Sequence, residues 1–195
     1  MYDPFSTAIE QLNAINAEDP NGLEVDREPR PRELAAAERL EAWVLKANPD
    51  ASEALRLASR CQHLKRWAFR RSEYPEGRVG YLKWRKDLSK KHAGLAAEAF
   101  ERAGISEEVR AQVRAINLKD RLKTNPGSQT MENALCLSFL EHEFAEFAAK
   151  HEDEKVVDIV QKTWRKMSER GHELALQLPL SGRAQILVGR ALSGD

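Results

Sequence analysis

Four side chains stand in apolar stretches of this chain where a charge needs a reason: Glu38 in AAAERLEAW, His63 in LRLASRCQHLKRW, His92 in KKHAGLAAEAF and Glu141 in ALCLSFLEH. A carboxylate or imidazole in such a setting must find a cation, a hydrogen-bond donor or a proton. Histidines and carboxylates converging from separate helices are how helical bundles build metal sites. Oxygen and nitrogen donors without a thiolate suit Fe, Mn, Zn, Ni or Mg rather than Cu(I). For His63 the competing reading is a core histidine bonded to a backbone carbonyl or a carboxylate.

Arg66, Arg70, Arg71, Arg78 and Arg85 follow His63, interleaved with Tyr74, Tyr81 and Trp84. Guanidinium forks grip carboxylate or phosphate through paired charge-assisted hydrogen bonds, and aromatic rings stack on bases or guanidinium planes. Arg66, Arg70, Arg71, Arg78, Tyr81 and Arg85 are therefore the candidate substrate-binding residues, and the expected partner is an anionic small molecule. The alternative is a solvated basic face paired with the acidic arm at residues 18–28. Charge is uneven in a way that feeds both readings: residues 60–91 carry eleven Lys and Arg against three acids, and residues 1–28 carry seven acids against one Arg.

The elements that position these groups read as helices throughout. Apolar residues recur at helical spacing, and no alternating run of β-formers suggests a sheet, so the expected class is all-α. A first helix covers Pro4–Ile15, and residues 17–33, with their Pro, Gly and Asn, form a long loop or arm. Pro31 opens a helix that stops at Asn48-Pro49, Asp50 or Ser52 caps one running through Trp67, and RRSEYPEGR is a loop. A long helix then ends at Gly104, Ser106 caps SEEVRAQVRAINLKDRL, TNPGS breaks the pattern, and ENALCLSFLEHEFAEFAAK, VVDIVQKTWRKM and GRAQILVGRAL supply the remainder.

At 195 residues the chain fits one domain, residues 1–195, and no stretch is apolar enough to span a bilayer. The N-terminus lacks a secretory signal pattern, so the expected location is the cytoplasm with no membrane partner. A net charge of +0 argues against general nucleic-acid binding. Cys61 and Cys136 sit in apolar helical patterns and read as packing residues. Oligomeric state is not set by anything here.

The order of the polar residues resembles the HD-domain superfamily of metal-dependent phosphohydrolases and related diiron oxygenases, over residues 34–145. That resemblance places Glu38 at the superfamily's first histidine, His63 at the histidine of its His-Asp pair, His92 at the next histidine, Lys119 near the remaining one and Glu141 at the final acid. Leu64 replaces the paired aspartate. The resemblance implies an HD-like helical bundle with a long N-terminal arm, holding one divalent ion (Fe, Mn, Zn or Ni) on Glu38, His63, His92 and Glu141, with His92 and Lys119 as catalytic groups. The implied reaction is metal-dependent hydrolysis of an anionic, phosphorylated small molecule or nucleotide; iron-dependent oxygenation and a non-enzymatic ligand-binding or interaction role are the alternatives. CQHLKRW, SEYPEGRVGYLKWR, FLEHEF and KVVDIVQKTWRKMSERGHE are similar, more narrowly, to a domain-of-unknown-function family, number 4202, found in bacteria and fungi.

Overall fold

The computed structural model describes residues 3–119 and 124–193. Among the described residues, ten α-helices, two short 3-10 turns and one small hairpin make up the regular structure, which bears out the all-α expectation, and no helix there is long and apolar enough to cross a membrane. The described residues divide into two compact units, the first from residues 3–42 and 51–119, the second from 43–50 and 124–193.

In the first unit, α1 (Pro4–Ala17) starts where the Asp3 carboxylate accepts from the backbone N–H groups of Phe5 and Ser6, at 3.2 and 3.1 Å. The expected arm contains a structure that the sequence reading missed. Strands β1 (Gly22–Val25) and β2 (Glu28–Pro31) pair antiparallel, Val25 opposite Glu28, around a two-residue turn in which Asp26 and Arg27 both take positive φ. A two-residue hairpin whose turn matches the strand twist requires positive φ at both positions. Buried Asp19 fixes the hairpin's base: its carboxylate accepts from Asn21 and, at 3.0 Å, from the backbone N–H of Glu33 in the first turn of α2 (Arg32–Ala47).

Helix α3 (Glu53–Arg60) is capped by Ser52 and ends earlier than its apolar pattern suggests, because the chain turns at 61–65 with Lys65 at φ 52°. Two short 3-10 turns, Arg66–Ala68 and Arg71–Glu73, lead to α4 (Gly77–Arg102), and Ser106 caps α5 (Glu107–Asn117). The expected continuation of α5 over Asp120–Leu122 lies outside the described residues. Helices α1 and α5 both pack against α3 and α4. Leu12, Leu55, Leu57 and Leu64 are fully buried among them, and at about 25 cal/mol per Å² such side chains are each stabilised by about 2 kcal/mol. At Gly80 a Cβ would lie 1.8 Å from the Pro75 carbonyl oxygen, so only glycine lets the loop before α4 fold back onto it.

The second unit holds α6 (Pro126–His142), α7 (Phe144–Ala149), α8 (Asp153–Trp164), α9 (Glu169–Ala175) and α10 (Gly182–Ser193). The segment expected as one apolar helix from 132 to 150 is two, α6 and α7, with the break at Glu143. Asn133 joins α6 to the start of α9: its Oδ1 accepts from the Ser168 N–H at 2.9 Å, and its Nδ2 donates to the Ser168 hydroxyl at 2.7 Å. Gly171 permits that approach, since a Cβ there would stand 2.7 Å from Asn133 Oδ1. Phe139 meets Phe144 and Phe147 edge-on at 5.9 and 5.8 Å, a favoured aromatic geometry. Both cysteines are buried thiols outside any disulfide.

Candidate anion-binding site

The turn that ends α3 puts His63 and Arg66 on the same short segment, where the Arg66 N–H donates to the His63 carbonyl at 3.0 Å. His63 Nε2 lies 3.5 Å from an Arg66 guanidinium nitrogen. A guanidinium can only donate, so Nε2 is the acceptor and Nδ1 carries the proton. That Nδ1 faces the Glu33 carboxylate at 3.6 Å, an electrostatic contact longer than a hydrogen bond. Beside it a crevice of about 10 Å³, lined by Asn16, Glu33, Ser59 and His63, has room for one water. Buried Asn16 donates to the Arg60 carbonyl at 3.0 Å and leaves its own Oδ1 without a partner.

Helix α4 brings the second imidazole. His92 is 8% exposed, and its Nδ1 lies 2.7 Å from the Leu64 carbonyl oxygen. The carbonyl only accepts, which puts the proton on Nδ1 and a lone pair on Nε2. That nitrogen is buried and has no hydrogen-bond partner. The two rings stand 6.2 Å apart. Burial first, then the charges of Arg66, His92 and Arg85, push the His63 pKa down to about 3. Burial likewise lowers His92 to about 4, helped by Arg66 and Arg85 and opposed by the bond to Leu64. Both imidazoles are therefore neutral at pH 7 in a positive field. Trp84 holds the intervening loop by donating from Nε1 to the Phe69 carbonyl at 2.8 Å, and the Arg66 guanidinium lies 5.7 Å from the Trp84 ring.

Other residues read from the sequence fall elsewhere. Both carboxylate oxygens of Glu38 are taken by Arg30 of β2, at 3.0 and 2.7 Å, which fastens the hairpin to α2. The buried acid of that helix is Glu41, 6% exposed, which binds Arg56 at 2.9 Å and also Arg60. In the second unit, Glu141 accepts from Trp43 Nε1 at 2.8 Å and lies 2.9 Å from Nε2 of neighbouring His142. Lys119 is exposed just beyond α5, at φ 56°. Arg71 donates to the Tyr74 and Gly77 carbonyls at 2.9 and 3.3 Å, so it shapes the loop. Arg70, Arg78, Tyr81 and Arg85 are exposed, with the Tyr81 ring 5.9 Å from Trp84. Of the basic segment and the acidic arm, Lys65 and Glu18 do pair, at 2.8 Å.

Among the described residues no group of three or more His, Cys, Asp or Glu is placed to hold a metal ion. Glu38 and Glu141 are committed to Arg30 and Trp43, and the guanidinium charges felt at His63 and His92 repel a cation. The ligand set expected for a divalent ion therefore does not fit the residues as placed. Glu33 is the site residue that sequence reasoning passed over; its one local signal is an acid in the first turn of a helix.

The chain belongs to the family described as Domain of unknown function (DUF4202), whose model matches residues 6–188. No curated protein and no solved structure matches it.

Proposed function

We propose that the first unit binds and hydrolyses an anionic, phosphorylated small molecule. One observation carries this reading: two imidazoles, each with its Nδ1–H turned toward an oxygen, stand 6.2 Å apart in the field of Arg66 and Arg85. The guanidiniums draw in the phosphoryl oxygens and neutralise charge as it develops. Binding of the anion offsets the guanidinium charge and raises the basicity of His63. Water then gives a proton to His63 Nε2 as its oxygen adds to phosphorus, the ester oxygen leaves and takes that proton back, and Glu33 steadies the transient imidazolium.

The likeness in residue order to HD-domain phosphohydrolases supports the same class of reaction, although its metal ligands are not reproduced and no step above uses an ion. The test is phosphate release from a panel of sugar phosphates, nucleoside monophosphates and p-nitrophenyl phosphate, with metal content measured on the same preparation. Turnover that is lost in Arg66→Ala and His63→Asn supports the proposal. A chain that neither releases phosphate nor melts higher with any of these compounds overturns it; a ligand bound without turnover leaves the ligand-binding role instead.

A further inference from the structure

The open nitrogen of His92 says more about the ligand than its charge. Its Nδ1–H is committed to the Leu64 carbonyl at 2.7 Å, so Nε2 presents a lone pair, and that lone pair has no donor although the ring is only 8% exposed. Buried acceptors are nearly always satisfied, and an exception asks for a missing partner. The side chains whose charges reach this ring, Arg66 from the turn and Arg85 on its own helix, can donate, yet neither bonds to Nε2. Their other demand is an anion.

Building on the phosphoryl reading above, we propose that the site selects an anion that brings its own O–H, donated to His92 Nε2, while its charged oxygens meet Arg66 and Arg85. Inorganic phosphate, which keeps at least one O–H throughout the neutral range, and the monoanion of a phosphomonoester, whose second proton leaves at about pH 6, fit this description. Sulfate has the same tetrahedral shape but carries no proton at that pH, so one of its oxygens would face the Nε2 lone pair. A site built to bond a donor rejects an analogue lacking it, because the buried acceptor is then left unpaired. Arg66 is held to His63 by one 3.5 Å contact, which makes its guanidinium the group that can yield to admit the ligand.

The test is calorimetric titration of the intact chain with inorganic phosphate and with sulfate at pH 6 and constant ionic strength. Phosphate should bind at least ten times more tightly, and the preference should shrink toward parity in His92→Gln, whose amide can donate to sulfate. A second readout guards against a misfolded variant: in wild type, adding phosphate should shift the ¹⁵N signal of His92 Nε2 as expected for an accepted hydrogen bond, and adding sulfate should not. If phosphate and sulfate bind within threefold of each other, or the nitrogen signal does not respond to bound phosphate, this inference is wrong while the anion site stands. If neither binds and no phosphorylated molecule is turned over, the functional reading falls with it.

Discussion

The two units treat buried polar groups in opposite ways. In the second, buried Asn133 spends both ends of its amide on Ser168 and also accepts from Gln129 at 3.2 Å. In the first, Asn16 Oδ1, His92 Nε2 and Arg110 Nε are buried without partners, and among the described residues these are the only such side-chain atoms. A closed polar network rigidifies; an open one costs stability and is kept where something must bind. The contrast supports the proposal that the anion is bound in the first unit.

Substitutions can break or sharpen that contrast. The largest effect is expected for Arg66→Ala combined with Arg85→Ala: two charge-assisted contacts worth about 1.5–3 kcal/mol each should lower phosphate affinity or turnover by about a hundredfold or more. Melting should hardly move, since neither arginine is buried. Next comes Asn133→Ala, which strips the Ser168 N–H and hydroxyl of their partners and should cost about 2–4 kcal/mol in chemical denaturation without affecting anion binding. His92→Phe should abolish phosphate binding at a smaller cost in stability, about 1–3 kcal/mol, from the Leu64 carbonyl it leaves without a donor, partly offset by removal of the unsatisfied Nε2.

Acid should weaken the first unit through its imidazoles. Burial and the guanidiniums of Arg66 and Arg85 push both imidazoles below the usual 6.5, His92 to about 4 and the part-exposed His63 down with it. Between pH 6.5 and the folded values the unfolded chain holds more protons, so stability is full above pH 6.5 and falls as pH is lowered through that window. A melting series from pH 7 to pH 4 checks this, and the decline should be shallower in His92→Phe. The smallest effect is none: chelators should change neither melting nor phosphate release, since the donors present do not assemble a metal site. A melting temperature that drops with chelator and returns with one divalent ion would overturn that fit test.

Helix content and several helix starts were legible because their signals are local: Ser52 and Ser106 sit where caps are required, whereas Asn125-Pro126, read as a break, in fact caps and opens α6. The hairpin was hidden because its turn is Asp-Arg rather than Asn-Gly, leaving no glycine to announce the positive φ. Glu38 and Glu41 lie one turn apart among the same alanines and leucines, and only tertiary packing decides that the second is the buried one. The helix around His63 looked longer because its apolar pattern continues to Leu64, which does reach the core, but from a turn whose carbonyl then receives His92. Glu33 was invisible as a partner for the imidazole, since thirty positions of chain separate it from His63 and nothing local links them.

Gly80 limits how this molecule can be altered. With the Pro75 carbonyl seated where a methyl group would go, the arginine-bearing segment cannot slip along α4 by a residue without losing that seat. A randomised library across this region should thus return glycine at 80 whichever ligand is selected for, and any survivor with alanine there would have to re-aim its guanidiniums.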